Sequence, residues 1–286
     1  MTRPLYWSVR RELWENRSVV LAPLAIAGLV LFSTFINAMI LPQRMRGISA
    51  LDPAKQRYLV VTPYGIAASV ILFTGFVVGV FYCIDALNSE RRDRSILFWK
   101  SLPVSDRTTV LAKASIPLAF LPLFSFGLVL VAQTIMVLVS SVALLGSGLN
   151  PAMLWTRLPL LPMTLVMIYG LAVHVLWYAP LYAWLLLVSA WARRAAYLWA
   201  ILPLIAIQIV ERIAFGSTLI ASLLQYRLVG AMREAFTVDP MKVRITRFSQ
   251  LAPLRFLTSP GLWLGLIVAA AFLAAAVRLR RNREPI

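Results

Sequence analysis

Apolar residues in this chain gather into six long blocks parted by short polar segments. The blocks cover residues 18–41, 62–84, 115–145, 158–190, 197–224 and 261–277. None shows the period-two alternation of a half-buried strand, and each comes close to or exceeds the roughly 20 helical residues that cross a bilayer core. The pattern therefore predicts an all-α membrane protein with six transmembrane helices. The third and fourth blocks, 31 and 33 residues long, exceed what a hydrocarbon core needs and should tilt, kink or project beyond it. Pro117, Pro122, Pro159, Pro162 and Pro180 supply kinks or helix starts there. No fixed-period repeat and no Pro/Gly/Ser-rich linker interrupts the chain, so residues 1–286 read as a single membrane domain.

Two short segments outside the blocks carry their own pattern. In residues 1–17, Leu5, Tyr6, Val9 and Leu13 fall on one arc of a helix, with Arg10, Arg11, Glu12, Glu15 and Arg17 outside it. Trp7 and Trp14 flank the arginines. This is either an interfacial helix lying in the headgroup layer or a leader that packs on the bundle. The second segment, residues 85–114, opens with the charge run Glu90, Arg91, Arg92, Asp93 and Arg94. It turns at Ser95 into Ile96, Leu97, Phe98 and Trp99, and then reaches Leu102 and Pro103. Ser95 can cap a short helix that Pro103 ends, and Ser105 with Asp106 can start the next one. Aromatic residues ringed by charge suit a protein contact, though a solvated loop with its rings folded back onto lipid fits the same residues.

Composition narrows the class. Hydrophobic residues make up 60% and charged residues 14% of the chain, against about half and about a quarter in soluble domains. That excludes a soluble globular enzyme, a disordered tail and a fibrous repeat. The 28 Lys plus Arg against 11 Asp plus Glu give a formal charge of +17. With six spans and an inside N-terminus, 16 of these cations fall in inner segments and 11 in outer ones, Arg212 lying within the fifth block. The bias predicts both termini in the cytoplasm. Trp155 and Trp263 then mark outer ends, while Trp191 and Trp199 flank the inner turn that holds Arg193 and Arg194. Cations dispersed over both faces do not form the stripe that a nucleic acid requires.

The string from Glu90 to Leu97, followed by Ser101-Leu102-Pro103-Val104-Ser105 and by Leu111-Ala112-Lys113, resembles the first cytoplasmic loop of ABC transporter type-2 permeases. Arg94 and Ala112 stand where that family commonly has glycine. The six-span layout, the leading helix and the long outer segment before the last span are similar as well. The resemblance implies the permease subunit of an exporter, dimeric with itself or a related permease, and paired with separate nucleotide-binding ATPase subunits. It implies that ATP and Mg are bound by that partner and that this chain holds no cofactor. Glu90 to Ser95 would form stem and turn of a coupling helix, and Ile96 to Leu102 its docking surface. Trp191, Arg193 and Arg194 would add a smaller second contact.

The chemistry available in the chain agrees with a non-enzymatic role. No lysine follows a glycine, so a Gly-x-x-x-x-Gly-Lys phosphate loop is missing. One His, one Cys and no close pair of intramembrane carboxylates leave no catalytic or metal set to assemble. His174, Glu211 and Arg212 are the polar candidates for a pathway or gate. Each also fits a plainer role: His174 as a packing residue, Glu211 and Arg212 as side chains reaching outward if the fifth span ends near Phe215. In that case residues 217–228 form a separate short helix dipping back from the outer face. The outer segment 225–260, with six cations among apolar residues, could receive a substrate, form a lid or rest on lipid headgroups. A membrane scaffold without a transport path, and less readily an embedded enzyme, are the competing classes.

Overall fold

The computed structural model describes residues 4–48, 51–93, 104–237 and 248–282. The described residues are almost entirely helical and contain six helices long and apolar enough to cross a membrane. A short helix α1 (Pro4–Glu15) precedes the spans α2 (Ser18–Ile48) and α3 (Pro53–Asp85), and α4 (Asn88–Arg92) follows them. The third span is one continuous rod built from α5 (Asp106–Ser115), a π-helical stretch Ile116–Phe120, and α6 (Leu121–Gly146). After α7 (Ala152–Trp155) come the spans α8 (Leu160–Trp191) and α9 (Ala196–Phe215). The non-spanning helices α10 (Leu219–Ala235) and α11 (Pro253–Thr258) lead to the last span, α12 (Pro260–Asn282).

Local chemistry explains most of the ends. Asp52 caps α3, its carboxylate accepting from the Ala54 amide, with Pro53 at the first helical position. Ser105 caps α5 by accepting from the Thr108 amide, as its position before Asp106 predicts. Pro117 lies in the first turn of the π-helical stretch and Pro122 just after it, and the missing proline N–H groups loosen the regular ladder there. The fifth span ends at Phe215 because Gly216 takes a left-handed φ of 60°, a conformation that costs glycine nothing. The apolar block 197–224 is therefore two helices, a span ending at Phe215 and the start of α10.

Packing divides the bundle into two lobes joined through α3. On one side α2, α3 and α6 bury Ala27, Ile71, Val129 and Ala132 midway, and Met45, Tyr64 and Val137 toward one end. On the other, α12 lies along α8, and alanines let the backbones approach: Ala179 and Ala183 against Ala269, Ala190 against Ala276. The helix α10 is fastened to α8 by three hydrogen bonds. Trp177 Nε1 donates to the Arg227 carbonyl (2.8 Å), Tyr178 Oη to that of Leu228 (2.8 Å) and Tyr169 Oη to that of Ala235 (3.0 Å). By contrast α9 buries only Ala196 and Ala200 and presents its remaining apolar surface outward.

Candidate functional site

The side chains that converge most tightly lie where the two ends of the described chain meet. Helix α1 docks there through two polar residues together with half of the apolar arc that its sequence suggests. Ser8 and Glu12, one turn apart, are its buried residues, Val9 and Leu13 pack beside them, and Leu5, Tyr6, Trp7 and Trp14 are exposed. Arg10 stays outside, stacked over the rings of Trp7 and Trp14. Burying a carboxylate is costly unless it is paired and hydrogen-bonded, and Glu12 meets both conditions. It accepts from Tyr82 Oη of α3 (2.8 Å), from Lys113 Nζ of α5 (2.9 Å) and from its neighbour Arg11 (2.8 Å).

Glu90 is the second centre. It lies in α4, just before the segment 94–103, and is 5% exposed. Its carboxylate is reached by Lys113 at 3.0 Å, by Arg280 of α12 at 2.8 Å and by Arg11 at 3.3 Å. Arg280 in turn bonds Asp106, in the first turn of α5, at 2.8 Å. Three carboxylates (Glu12, Glu90, Asp106) thus face three cations (Arg11, Lys113, Arg280) in a network joining α1, α4, α5 and α12, with Glu15 a fourth carboxylate at its edge. At its margin burial holds the Glu15 carboxyl above its ordinary value, and Arg11, 3.6 Å away, pulls it partly back.

A neighbouring set of bonds fixes α4 to the end of α8. The Ser189 hydroxyl accepts from the amides of Leu87 (2.9 Å) and Asn88 (3.0 Å), satisfying donors at the start of α4. The Arg91 guanidinium, buried, donates to the carbonyls of Ala190 (2.9 Å) and Ala192 (3.2 Å), acceptors left open at the C-terminus of α8. The base of the first loop and the turn between spans four and five are consequently locked together. Ala195 in that turn holds a left-handed φ of 49°, the one non-glycine residue described with positive φ.

The residues singled out by sequence fall into distinct places. Glu90 and Arg91 are not a solvated stem but buried anchors. Arg92 and Asp93 are exposed and pair with each other at 3.4 Å. Arg94, Ser95, Ile96, Leu97, Phe98, Trp99, Leu102 and Pro103 lie outside the described residues. Trp191 packs edge-on against Trp199, ring centres 4.7 Å apart, and Arg193 and Arg194 beside it are exposed. Glu211 does not pair with Arg212. It caps α10, accepting from Ser217 Oγ (2.6 Å) and from the amides of Leu219 (2.6 Å) and Ile220 (2.9 Å). His174 contacts Tyr182 Oη through Nε2 at 3.1 Å and sits edge-on to Phe76. Among the described residues no cluster of three or more His, Cys, Asp or Glu is placed to hold a metal ion.

Sequence reading passed over Glu12, Lys113, Asp106, Arg280, Tyr82 and Ser189 as members of one site. The available signal was position: Glu12, Glu90, Asp106, Lys113 and Arg280 all lie within about ten residues of an apolar block on what topology makes a single face. Comparison of the chain with family models, with curated proteins and with solved structures gives no match.

Proposed function

We propose that this chain is the permease subunit of an ABC exporter, dimeric with itself or a related permease, in which separate ATPase subunits drive transport from the cytoplasmic face of the inner membrane. Ile96 to Leu102 dock on the ATPase, with a smaller second contact from Trp191, Arg193 and Arg194; ATP and Mg belong to that partner, and this chain contributes the path. The observation that carries the reading is the buried anchor at the base of the docking segment. Glu90 ties that base to α1, α5 and α12, and Arg91 ties it to α8. A push on residues 94–103 therefore reaches the third, fourth and last spans through short charged and hydrogen-bonded contacts instead of dissipating in a loose loop. A solvated loop with no mechanical task gains nothing from four buried charges (Glu12, Glu90, Lys113 and Arg280) at its root, since such networks cost about as much to bury as their attraction returns.

The test begins with whether a neighbouring gene encodes a lone nucleotide-binding subunit, and goes on to co-purification of such a subunit with this chain and to transport in vesicles. Phe98→Asp with Trp99→Asp is expected to abolish association. Arg91→Ala, which leaves the docking residues intact, is expected to retain association while ATP hydrolysis no longer yields transport. Wild-type association and transport in the double variant would refute the assignment.

A further inference from the structure

A partly open cavity of about 200 Å³ lies between helices of the bundle, away from the charged network. Its walls come from α3, from the proline-bearing middle of the third span, from α8 and from the C-terminal part of α10. Phe76, Leu121, Met167 and Met232 make it mostly apolar, and no Asp, Glu, Lys or Arg lines it. Pro117 brings the π-helical stretch into the wall, and such interruptions recur at functional sites.

The polar atoms are few, and all but one described group is engaged. Tyr178 Oη donates to the Leu228 carbonyl, and Tyr182 Oη is paired with His174 Nε2. Ser125 differs. It is 1% exposed and lines the cavity, yet its Oγ has no hydrogen-bond partner. Hydroxyls in a helix usually bond back to the carbonyl one turn earlier, as Thr134 and Ser141 do in the same helix. An unsatisfied buried hydroxyl is a standing cost. Gly75, another lining residue, lies directly against it: a methyl group at position 75 would collide with Ser125 Oγ. A lone water is a poor occupant, because a buried water needs two to four polar partners.

We propose that this cavity binds a small uncharged amphiphile, with an apolar body the size of one substituted ring or a short alkyl chain and a hydroxyl or carbonyl that pairs with Ser125. The size follows from volume, since a dry cavity of about 150 Å³ accommodates benzene. No Asp, Glu, Lys or Arg in the lining offers a charged ligand a counter-ion, which favours an uncharged one. The site belongs to this chain alone and stands or falls independently of the exporter reading. Helix α10, fastened to α8 by Tyr169, Trp177 and Tyr178, closes one side through Ala231, Met232 and Phe236.

The experiment uses the full chain in phosphatidylcholine nanodiscs, photolabelled with 3-azioctanol and mapped by mass spectrometry, with 1-octanol and octane as competitors. Saturable labelling is expected on the peptides holding Phe76, His174 to Tyr178 and Met232, displaced by octanol far better than by octane. Ser125→Ala is expected to weaken octanol competition about fivefold, the worth of one neutral hydrogen bond. In the absence of ligand the same variant should unfold at the same or a higher temperature, because it deletes an unsatisfied oxygen. Ala231→Phe or, separately, Met232→Trp should fill the space and abolish the saturable component. Labelling that is unsaturable and spread over lipid-facing residues, equal competition by octane, or a loss of stability in Ser125→Ala would each overturn the proposal.

Discussion

Lys113 shows what burial does to a single charge. At 2% exposure its ammonium stands between Glu12 and Glu90, within 3.0 Å of each. Lys113→Met keeps the stem's volume but leaves two carboxylates facing each other with only the arginines to compensate. Breaking a buried pair from one side costs about 3–5 kcal/mol, so thermal unfolding in detergent should show a large loss. Adding Glu12→Gln should return much of it, because one of the two uncompensated charges is then removed; additive losses in the double variant would contradict the network. None of this was visible in the residues themselves. The helical arc placed Glu12 on the polar side of α1, which reads as water, and its partners Tyr82 and Lys113 are distant in sequence. Amphipathicity records which side chains avoid lipid; it does not distinguish solvent from a buried counter-charge.

At the level of elements, the apolar blocks marked the six spans because the bilayer requirement is one of length and composition. Helix ends were less legible, since hydropathy marks where lipid stops and not where hydrogen bonding stops. Thus α2 continues past Leu41 through Pro42, Arg44 and Arg46 to Ile48, and the third span starts with the polar helix α5. The boundary at Phe215 is one of the two readings that the apolar run allows, and Gly216 decides for it. There Glu211 acts across the turn, one carboxylate holding the hydroxyl of Ser217 and two amides of α10. Glu211→Ala removes an acceptor from donors that otherwise have no intrahelical partner. Hydrogen exchange should then quicken at the start of α10 while the part held by Trp177 and Tyr178 stays protected. Unchanged exchange at Leu219 and Ile220 would show that the cap contributes nothing.

For the whole molecule the question is which end of the bundle faces the cytoplasm. Contacts among Glu12, Glu90 and Arg280 put α1 and the C-terminal end of α12 at one end, and the Arg-rich termini give that end its excess of cations. Cations are retained on the cytoplasmic side during insertion, which predicts that the network lies inside and α11, with Phe248 to Gln250, outside. The chain offers a clean assay, because its one cysteine, Cys83, is fully buried and should not react in the folded protein. Ser249, in the turn Phe248–Gln250 that precedes α11, and Asn282, the last residue of α12, are both exposed and are each replaced by cysteine (Ser249→Cys, Asn282→Cys). In intact cells a membrane-impermeant maleimide should label the first and miss the second until the membrane is opened. The reverse pattern would place the Glu90 anchor outside. It would remove the docking segment from any cytoplasmic ATPase, and with it the proposed function, while leaving the fold and the Ser125 cavity untouched.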